Sequence, residues 1–300
     1  SSYVLSKNSP FSVSPSVDGD ELSFSIISGS LPIGLSLNST TGMIYGIPSQ
    51  FVSSQSVTIE AFNEVSNQFN TITFTILTPI SSFSYPQSSY VLSRDDPVSI
   101  IPTVNGDELS FSITSGSLPI GLSLNSSTGI ISGIPSQAMS SQSVTINALN
   151  QVSDQSFSLS FTVITPISSF NYSQSSFALT KDESFSIIPI VNGDELSFSI
   201  ISGSLPIGLS LNSTTGMIYG IPSQSIISQS VTIEAFNEVS DQSFSLSFTV
   251  ITPISSFSYP LSSYVLSKNN SFSIIPIVNG DELSFSIISG SLPIGLSLNS

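Results

Sequence analysis

The stretch Leu118-Pro-Ile-Gly-Leu-Ser-Leu-Asn-Ser-Ser-Thr-Gly-Ile-Ile-Ser-Gly-Ile-Pro-Ser136 decides the fold of this 300-residue chain. Almost the same residues return over 31–49 and 205–223, and a further copy begins at Leu292. Leu-Pro-Ile-Gly starts at 31, 118, 205 and 292, which is a spacing of 87 residues without insertion or deletion. A fixed period of this length predicts that each 87-residue unit is one structural module.

Two short apolar segments flank a turn within this stretch. Leu122-Ser-Leu124 alternates, Asn125–Gly129 has turn composition, and Ile130-Ile-Ser132 resumes the apolar pattern. Glycine and proline interrupt the chain on either side of the two segments. The pattern is typical of a β-hairpin between two short strands.

The residues before the hairpin predict three more strands. In the first module these are Ser2–Ser6, Phe11–Val17 and Leu22–Ile26. Pro15 favours the edge of a sheet for the second strand. The third strand alternates, so Leu22 and the other two apolar residues of that strand are expected to face the core. An Asp-Gly or Asn-Gly pair precedes the third strand in every module and predicts a two-residue hairpin turn. These pairs are Asp18-Gly19, Asn105-Gly106, Asn192-Gly193 and Asn279-Gly280.

After the hairpin, Ser56–Ala61 alternates, Asn63–Asn70 reads as a polar connection, and Thr71–Ile76 closes the module. No segment has a helical period, so we expect about seven strands per module. The predicted core of the second module, with its equivalents 87 residues away, is Leu109, Phe111, Ile113, Val144, Ile146, Phe161 and Val163.

These motifs carry a family resemblance. The pattern Leu-Pro-x-Gly-Leu-Ser-Leu-Asn-x-x-Thr-Gly-x-Ile-x-Gly-Ile-Pro, followed by Ser143–Asn150 and a closing alternating strand, resembles the immunoglobulin-like, dystroglycan-type cadherin-like domains of extracellular surface proteins. The resemblance implies an all-β protein, a tandem array of Ig-like or cadherin-like β-sandwich modules that act as spacers or adhesion modules. It implies no enzymatic activity.

The period divides the chain into four modules. We expect Ig-like modules at residues 1–79, lacking its opening residues, at 80–166, at 167–253, and at 254–300, lacking its second half. Both ends fall inside modules, so we expect the chain to be a window cut from a longer array. The chain has no cysteine, and the modules must therefore fold without disulfides.

The charge of the chain excludes several partners. A net charge of −15, from 19 acidic and 4 basic residues, argues against nucleic acid and anionic lipid, which need clustered cations. No apolar run is long enough to span a bilayer. Charged residues make up only 8%, against about 25% in ordinary soluble domains, so we expect glycans or packed neighbours to cover the surface outside the cell.

The joints between modules contain no glycine and no flexible tract. They read Leu77-Thr-Pro-Ile80, Ile164-Thr-Pro-Ile167 and Ile251-Thr-Pro-Ile254, and the proline restricts its own φ and the residue before it. We also expect Ile167, Phe170 and Tyr172 to pack against the end of the preceding module. The joints therefore predict a stiff rod with an axial rise of about 35–45 Å per module.

The sequence offers little catalytic chemistry. Without histidine or cysteine, it contains no catalytic triad of the Ser-His-Asp type and no zinc site, and we expect no catalytic, cofactor or metal residue. Acidic pairs do recur, and we interpret them as solvated hairpin ends, with a calcium ligand or a catalytic pair as alternatives. The pairs are Asp20-Glu21, Asp107-Glu108, Asp194-Glu195 and Asp281-Glu282.

The four cations also recur every 87 residues, at Lys7, Arg94, Lys181 and Lys268. We expect an ion pair or a capped turn at these positions, with an intramolecular isopeptide bond as the alternative. Arginine cannot donate the amine that such a bond requires. The cations are therefore a weak functional signal.

Glycosylation sequons fall at equivalent hairpin turns. Asn38, Asn125 and Asn212 each begin an Asn-x-Ser/Thr triplet, and Asn299 would begin a fourth if threonine followed Ser300. Asn171-Tyr-Ser and Asn269-Asn-Ser add two more without periodic partners. The alternative is that asparagine serves the turn alone and that a serine-rich chain forms sequons by chance.

Taken together, these features favour a structural repeat protein that forms an extracellular rod or filament, or the stalk of a surface adhesin. Its partners would be neighbouring modules and identical chains, with other surface proteins or glycans as further candidates. The alternative is a ligand-binding ectodomain that recognises a carbohydrate or protein through loops at the module tips. An enzyme would need its catalytic domain elsewhere.

Overall fold

The computed structural model of the chain describes residues 1–281 and 283–299. It has two compact units, one over Ser1–Ile164 and one that begins at Thr165. In the described residues the backbone forms strands, turns and loops, and no helix there could cross a membrane. The chain is therefore all-β, as the sequence predicts.

The first unit contains two modules. The strands of the first are β1 Ser2–Ser6, β2 Phe11–Val13, β3 Ser23–Gly29, β4 Leu35–Leu37, β5 Ile44–Gly46, β6 Val52–Phe62 and β7 Asn67–Leu77. The strands of the second are β8 Phe83–Ser84, β9 Ser89–Ser93, β10 Val98–Ile100, β11 Thr103–Val104, β12 Ser110–Gly116, β13 Leu122–Leu124, β14 Ile131–Gly133, β15 Met139–Leu149 and β16 Asp154–Ile164.

The second unit repeats this order. The strands of the third module are β17 Phe170–Asn171, β18 Ser176–Thr180, β19 Phe185–Ile187, β20 Ile190–Val191, β21 Ser197–Gly203, β22 Leu209–Leu211, β23 Ile218–Gly220, β24 Ile226–Phe236 and β25 Asp241–Ile251. Two strands follow in the described part of the fourth, β26 Ser256–Ser258 and β27 Ile277–Asn279.

Each complete module is a sandwich of two main sheets. In the second module the larger sheet has the order β12-β15-β16-β9 and the smaller has the order β10-β14-β13, while β8 pairs with β11. All pairs are antiparallel except one, in which β9 runs parallel to β16 with Ser89 opposite Ser160 and Ser93 opposite Ile164. The third module has the same arrangement, with β18 parallel to β25. This confirms the predicted β-sandwich.

The hairpin that organises the repeat is present. Leu122 lies opposite Gly133 and Leu124 lies opposite Ile131 in the pair β13–β14. The Oδ1 atom of Asn125 accepts hydrogen bonds from the two N–H groups that follow in the turn, at 2.9 and 3.0 Å. The turn composition therefore predicted this hairpin correctly.

The Asn-Gly pairs do not form hairpin turns, so that prediction was wrong. Asn105-Gly106 connects β11 to β12, which lie in different sheets. Pro102 lies between β10 and β11, and those two segments of one predicted strand pair with different partners. Because proline has no N–H to continue a ladder, the strand divides there and crosses between the sheets.

A second correction concerns the connection predicted over Asn63–Asn70. The closing strand β7 already begins at Asn67, so only four residues separate it from β6. The N–H of Asn63 donates to the carbonyl of Ser66 at 3.0 Å and closes the turn. Polar residues here belong to a long hairpin whose end extends beyond the core.

The core of the second module contains six of the seven predicted residues. Leu109 is half-buried against the core, and five others are buried; these are Phe111, Val144, Ile146, Phe161 and Val163. Ile113 is the exception, because 39% of its surface is exposed. Its equivalents Ile26 and Ile200 are exposed to the same extent, at 40% and 39%. A bulge shifts the register of β12 against β15 between Ile113 and Ser115, which ends the regular alternation there.

The prediction for the apolar residues that follow the joint was also wrong. Ile167, Phe170 and Tyr172, expected to pack against the preceding module, are buried in the core of their own module. The reason is that Phe170 lies in a strand that pairs with β20 and covers the open side of the sandwich. The ring of Phe170 lies 5.8 Å from that of Phe198.

We predict that Phe111→Ala destabilises the second module by about 3–5 kcal/mol, because it removes a buried ring and leaves a cavity. The matched control is Ile113→Ala, which removes an exposed side chain two residues away on the same strand and costs about 1 kcal/mol or less. Urea unfolding followed by amide hydrogen exchange in the second module measures both. Equal losses from the two variants would contradict the assigned core.

Candidate functional site

The linker between the first two modules is held by side chains of the second. The N–H of Thr78 donates to Oδ2 of Asp107 at 2.8 Å, and the carbonyl of Thr78 accepts from Nδ2 of Asn150 at 3.0 Å. The N–H of Ile80 donates to Oγ of Ser153 at 2.7 Å. We call Asp107, Asn150 and Ser153 the linker clamp.

Asn150 is the centre of the clamp and is buried. Its Nδ2 also donates to the carbonyl of Asp107 at 3.0 Å. Its Oδ1 accepts from the N–H groups of Val152 and Ser153 and from the hydroxyl of Ser153. A buried amide with this many partners is costly to replace, since every partner would lose its bond.

The third module forms equivalent hydrogen bonds to the linker that precedes it. Thr165 donates its N–H to Asp194 at 3.0 Å and accepts from Asn237 at 3.1 Å. Ile167 donates to the hydroxyl of Ser240 at 2.7 Å. In the fourth module the N–H of Thr252 donates to Asp281 at 2.8 Å. The clamp is therefore a property of the repeat.

The Asn-Gly pairs lie beside the linker. Oδ1 of Asn105 accepts from the N–H groups of Ser81 and Ser82 at 3.0 and 2.8 Å. Gly106 has a φ of +130°, and a Cβ there would lie 3.1 Å from the side chain of Ile80. Glycine is favoured at this position because its φ is positive and because the linker approaches too closely for a Cβ atom.

The acidic pairs have a different role from the one we expected. Asp107 is half-buried and bonds the linker, whereas Glu108 is exposed with a φ of +51°. Within residues 1–281 and 283–299, no three acidic side chains lie close enough together to hold a metal ion. Glu108 is therefore solvated as we expected and Asp107 is not, and neither lies at a hairpin end, because both belong to the connection between the two sheets.

Two pKa effects have clear structural causes. Hydrogen bonds lower the pKa of the Asp281 carboxyl below its ordinary value, because they favour the ionised acceptor. The bond from Thr252 has the largest effect, and the bond from Ser225 is next. Burial raises the pKa of Tyr85 and of Tyr172 far above the ordinary value. Both tyrosine hydroxyls are hydrogen-bond donors inside their modules, at 2.6 Å from the carbonyls of Gly129 and Gly216.

In the described part of the chain, two of the four recurring cations form an ion pair, each with the aspartate that follows it. Nε of Arg94 lies 3.0 Å from Oδ2 of Asp95, and Nζ of Lys181 lies 3.9 Å from Oδ2 of Asp182. Such pairs contribute about 0–1 kcal/mol. The expected ion pairs are thus present in two modules, where the residue after the cation is an aspartate.

The sequon asparagines lie where the sequence placed them, on the hairpin turns. Asn125 is exposed, and Asn38 and Asn212 are half-buried with the same turn bonds through Oδ1. No described residue accepts a hydrogen bond from the Nδ2 of these three asparagines, which is the atom that a glycan modifies. Asn299 is exposed and lies outside any strand. Both the turn role and modification are compatible with this geometry.

Sequence reasoning missed two members of the clamp, Asn150 and Ser153. The signal was present, because Asn-x-Val-Ser returns in the first three modules, although the residues that follow it in the first module differ from those in the other two. The copies are Asn63-Glu-Val-Ser66, Asn150-Gln-Val-Ser153 and Asn237-Glu-Val-Ser240. A turn motif that recurs in three modules indicates that its side chains make specific contacts.

We predict that Asn150→Ala destabilises the second module by about 1–3 kcal/mol and loosens the linker, because the groups bonded to the amide lose their partner. Asn147→Ala is the control, since Asn147 bonds only the hydroxyl of Ser156 at an exposed site. Hydrogen exchange at the amides of Thr78 and Ile80 reports the linker directly. Unchanged protection in the first variant would refute the clamp.

We predict that Asn38, Asn125 and Asn212 carry glycans when the chain is secreted from a cell that glycosylates. Their Nδ2 atoms donate to no residue within 1–281 and 283–299, and the turns lie at the surface. Intact-glycopeptide mass spectrometry of native material tests this. Unmodified asparagine at all three positions would mean that the residue serves only the turn.

Comparison with known proteins agrees with this architecture. A family model described as "Putative Ig domain" matches residues 1–79, 78–166 and 161–253. A search of curated protein sequences gave no match. Among solved structures, the I-band fragment I67–I69 from titin is similar with a TM-score of 0.50 and 13% identity, covering 83% of this chain and 95% of that one.

Two further solved structures are also similar, at lower scores. The N-terminal eight Ig domains of Down Syndrome Cell Adhesion Molecule give a TM-score of 0.48 and 13% identity over 84% of this chain and 35% of that one. Sidekick-1 immunoglobulin domains 1–4 give 0.43 and 11% over 83% and 73%. At such identities the likeness concerns the fold alone. Because the family model covers residues 1–253 in three copies, the chain belongs to this Ig-domain family as a tandem array.

Proposed function

We propose that this chain is a structural segment of a stiff extracellular rod or filament, or of the stalk of a surface adhesin. The observation that carries the proposal is the linker clamp, which fixes three backbone groups of the joint to the module that follows. A linker with satisfied backbone groups and a proline has few free dihedrals. Successive modules would then keep a constant relation, as a rod requires.

The strand pairing of each module suits a chain under tension. The chain enters the second module through the clamped linker and β8, continues into β9 and leaves at the end of β16. β9 and β16 are parallel neighbours over five residue pairs. Once the linker and β8 have detached, a pull on the two ends shears this ladder, so its hydrogen bonds resist together. The rings of Tyr90 and Phe161 are stacked 5.6 Å apart and add a packing interaction between the same two strands on the core side.

The surface supports an extracellular setting and association with identical chains. The outer face of the larger sheet carries hydroxyl groups that bond one another across strands, as in Thr145–Ser158 at 3.0 Å and Thr232–Ser245 at 3.0 Å. Charged residues are rare throughout. A polar face with so little charge offers weak repulsion to a second copy, and the hairpin asparagines provide places for glycans.

We predict that Tyr90→Ala lowers the force at which the second module unfolds when the chain is pulled by its ends. The matched control is Leu122→Ala, which removes a half-buried side chain from β13, a strand outside the sheared pair. Forced unfolding follows the unfolding rate under load and not overall stability. Single-molecule force spectroscopy of both variants decides, and a greater loss of force in the control would refute a tension-bearing role.

A further inference from the structure

Asn105 and Asn192 bond the linkers of the second and third modules, and each is followed by glycine. In an Asn-Gly pair the backbone nitrogen of glycine can attack the side-chain carboxamide, because glycine has no side chain to hinder the approach. Within the described residues, no backbone carbonyl accepts a hydrogen bond from the N–H of Gly106 or Gly193. Both pairs therefore contain a reactive carboxamide beside a nitrogen that has no backbone partner.

The linker holds the carboxamide of Asn105 through hydrogen bonds to two serines. Oδ1 accepts from the N–H groups of Ser81 and Ser82 at 3.0 and 2.8 Å, and from the hydroxyl of Ser82 at 3.1 Å. Nδ2 donates to the hydroxyl of Ser81 at 2.5 Å. Asn192 forms the same bonds with the two serines of its own linker. We call a linker docked when these bonds are formed.

The reaction that this pair can undergo is deamidation. The nitrogen of Gly106 attacks Cγ of Asn105 and loses its proton to water, and the carboxamide nitrogen leaves as ammonia, which closes a succinimide ring. Water then opens the ring at either carbonyl and leaves aspartate or isoaspartate, so one water is consumed and one ammonia is released. Attack makes Cγ tetrahedral and moves Oδ1 and Nδ2 away from their partners, so a docked linker opposes the reaction.

The two products differ in what they do to the linker. Aspartate keeps an oxygen where Oδ1 of Asn105 was, so it still accepts from the N–H groups of Ser81 and Ser82. In isoaspartate the former side-chain carbonyl belongs to the main chain, which gains one carbon atom, so the acceptor no longer reaches them. Either product adds a negative charge two residues before Asp107, which itself bonds the linker. Isoaspartate therefore prevents the linker from docking again.

The glycine that makes the pair reactive is required by the docked linker. A Cβ at Gly106 would lie 3.1 Å from the side chain of Ile80, and a Cβ at Gly193 would lie 3.0 Å from that of Ile167. Both glycines also have a positive φ, at +130° and +127°. The close approach of the linker thus creates the reactive pair and shields it at the same time.

We propose that Asn105-Gly106 and Asn192-Gly193 are sites of spontaneous deamidation that the docked linker shields, so that opening of a linker becomes a permanent covalent change. An opened linker exposes its pair to reaction, and the isoaspartate product keeps the linker open. Tension as the cause of opening rests on the proposed function, whereas the shielding does not. The joints would thus record, one by one, where the chain has been opened.

Ageing of the full chain in neutral buffer, followed by proteolysis and mass spectrometry, measures deamidation at each pair. The reference is a peptide of residues 102–109, in which no linker holds the asparagine. We expect Asn105 in the chain to react roughly 10- to 100-fold more slowly than in the peptide, since reaction requires local opening. Reaction in the chain at the rate of the peptide would overturn the shielding. Faster reaction would also overturn it, because the donors to Oδ1 would then activate the carboxamide.

Ser81→Ala with Ser82→Ala removes both hydroxyl partners of Asn105 and leaves the residues around the pair unchanged. Both serines are exposed, so the module keeps its fold, which circular dichroism verifies. We expect deamidation at Asn105 to become roughly 5- to 30-fold faster. Asn192 in the same molecule is the internal control and should react at its native rate.

Ser168→Ala with Ser169→Ala is the matched variant at the next linker and should accelerate Asn192 alone. Acceleration at neither pair, or equal acceleration at both pairs in either variant, would contradict the proposal. These measurements apply no load, so their outcome is independent of the force measurements that test the rod.

Hydrogen exchange at the amides of Ser81 and Ser82 tests the effect on the linker. Asn105→Asp supplies the aspartate product alone, and chromatography separates the isoaspartate form from aged chains. We expect native protection in Asn105→Asp, because a carboxylate still accepts both bonds, and loss of protection in the isoaspartate form. An isoaspartate form with native protection would overturn the claim that the change is permanent.

Discussion

The hydrogen bonds between a module and the backbone of the linker that enters it are the constraint on which this architecture depends. A linker that runs along the surface of the next module must have its backbone polar groups satisfied. Proline at position 79 removes one donor, and the clamp satisfies both backbone groups of Thr78 and the N–H of Ile80. The short strand β8 then follows at a defined place, and the rings of Phe83 and Tyr85 complete the core.

This dependence explains why residues outside the core recur as faithfully as those inside it. Asn150 does not contribute apolar area, yet it connects the closing hairpin, the linker and the crossing between the sheets. Gly106 allows the linker to approach that crossing. A repeat built in this way cannot lose one of these residues without loosening several elements at once, because polar networks in partly buried sites act as a unit.

The sequence predicted the features that depend on local pattern. The period of 87 residues is visible in the repeated sequence, and most of the strands, the hairpin at Asn125 and the burial of Phe111 follow from alternation and turn chemistry. We expected about seven strands per module, and the second and third modules have nine, because β8 and β17 were not predicted and proline divides a further strand. The sequence failed where tertiary context overrides pattern. A bulge exposes Ile113 against its alternation, and Asn105-Gly106 crosses between sheets where its composition favours a two-residue hairpin. The clamp needed contacts between residues far apart in the chain, which pattern alone does not reveal.

The central claim is the proposal that the joint at residues 77–80 holds the first two modules in one arrangement, and distance measurements between these two modules test it most directly. The chain contains no cysteine, so single cysteines at Ser36 and Ser123, exposed equivalents in the first and second modules, accept spin labels specifically. Pulsed electron spin resonance then reports the distribution of distances between the two modules. The account predicts one narrow peak, and a broad distribution would contradict it.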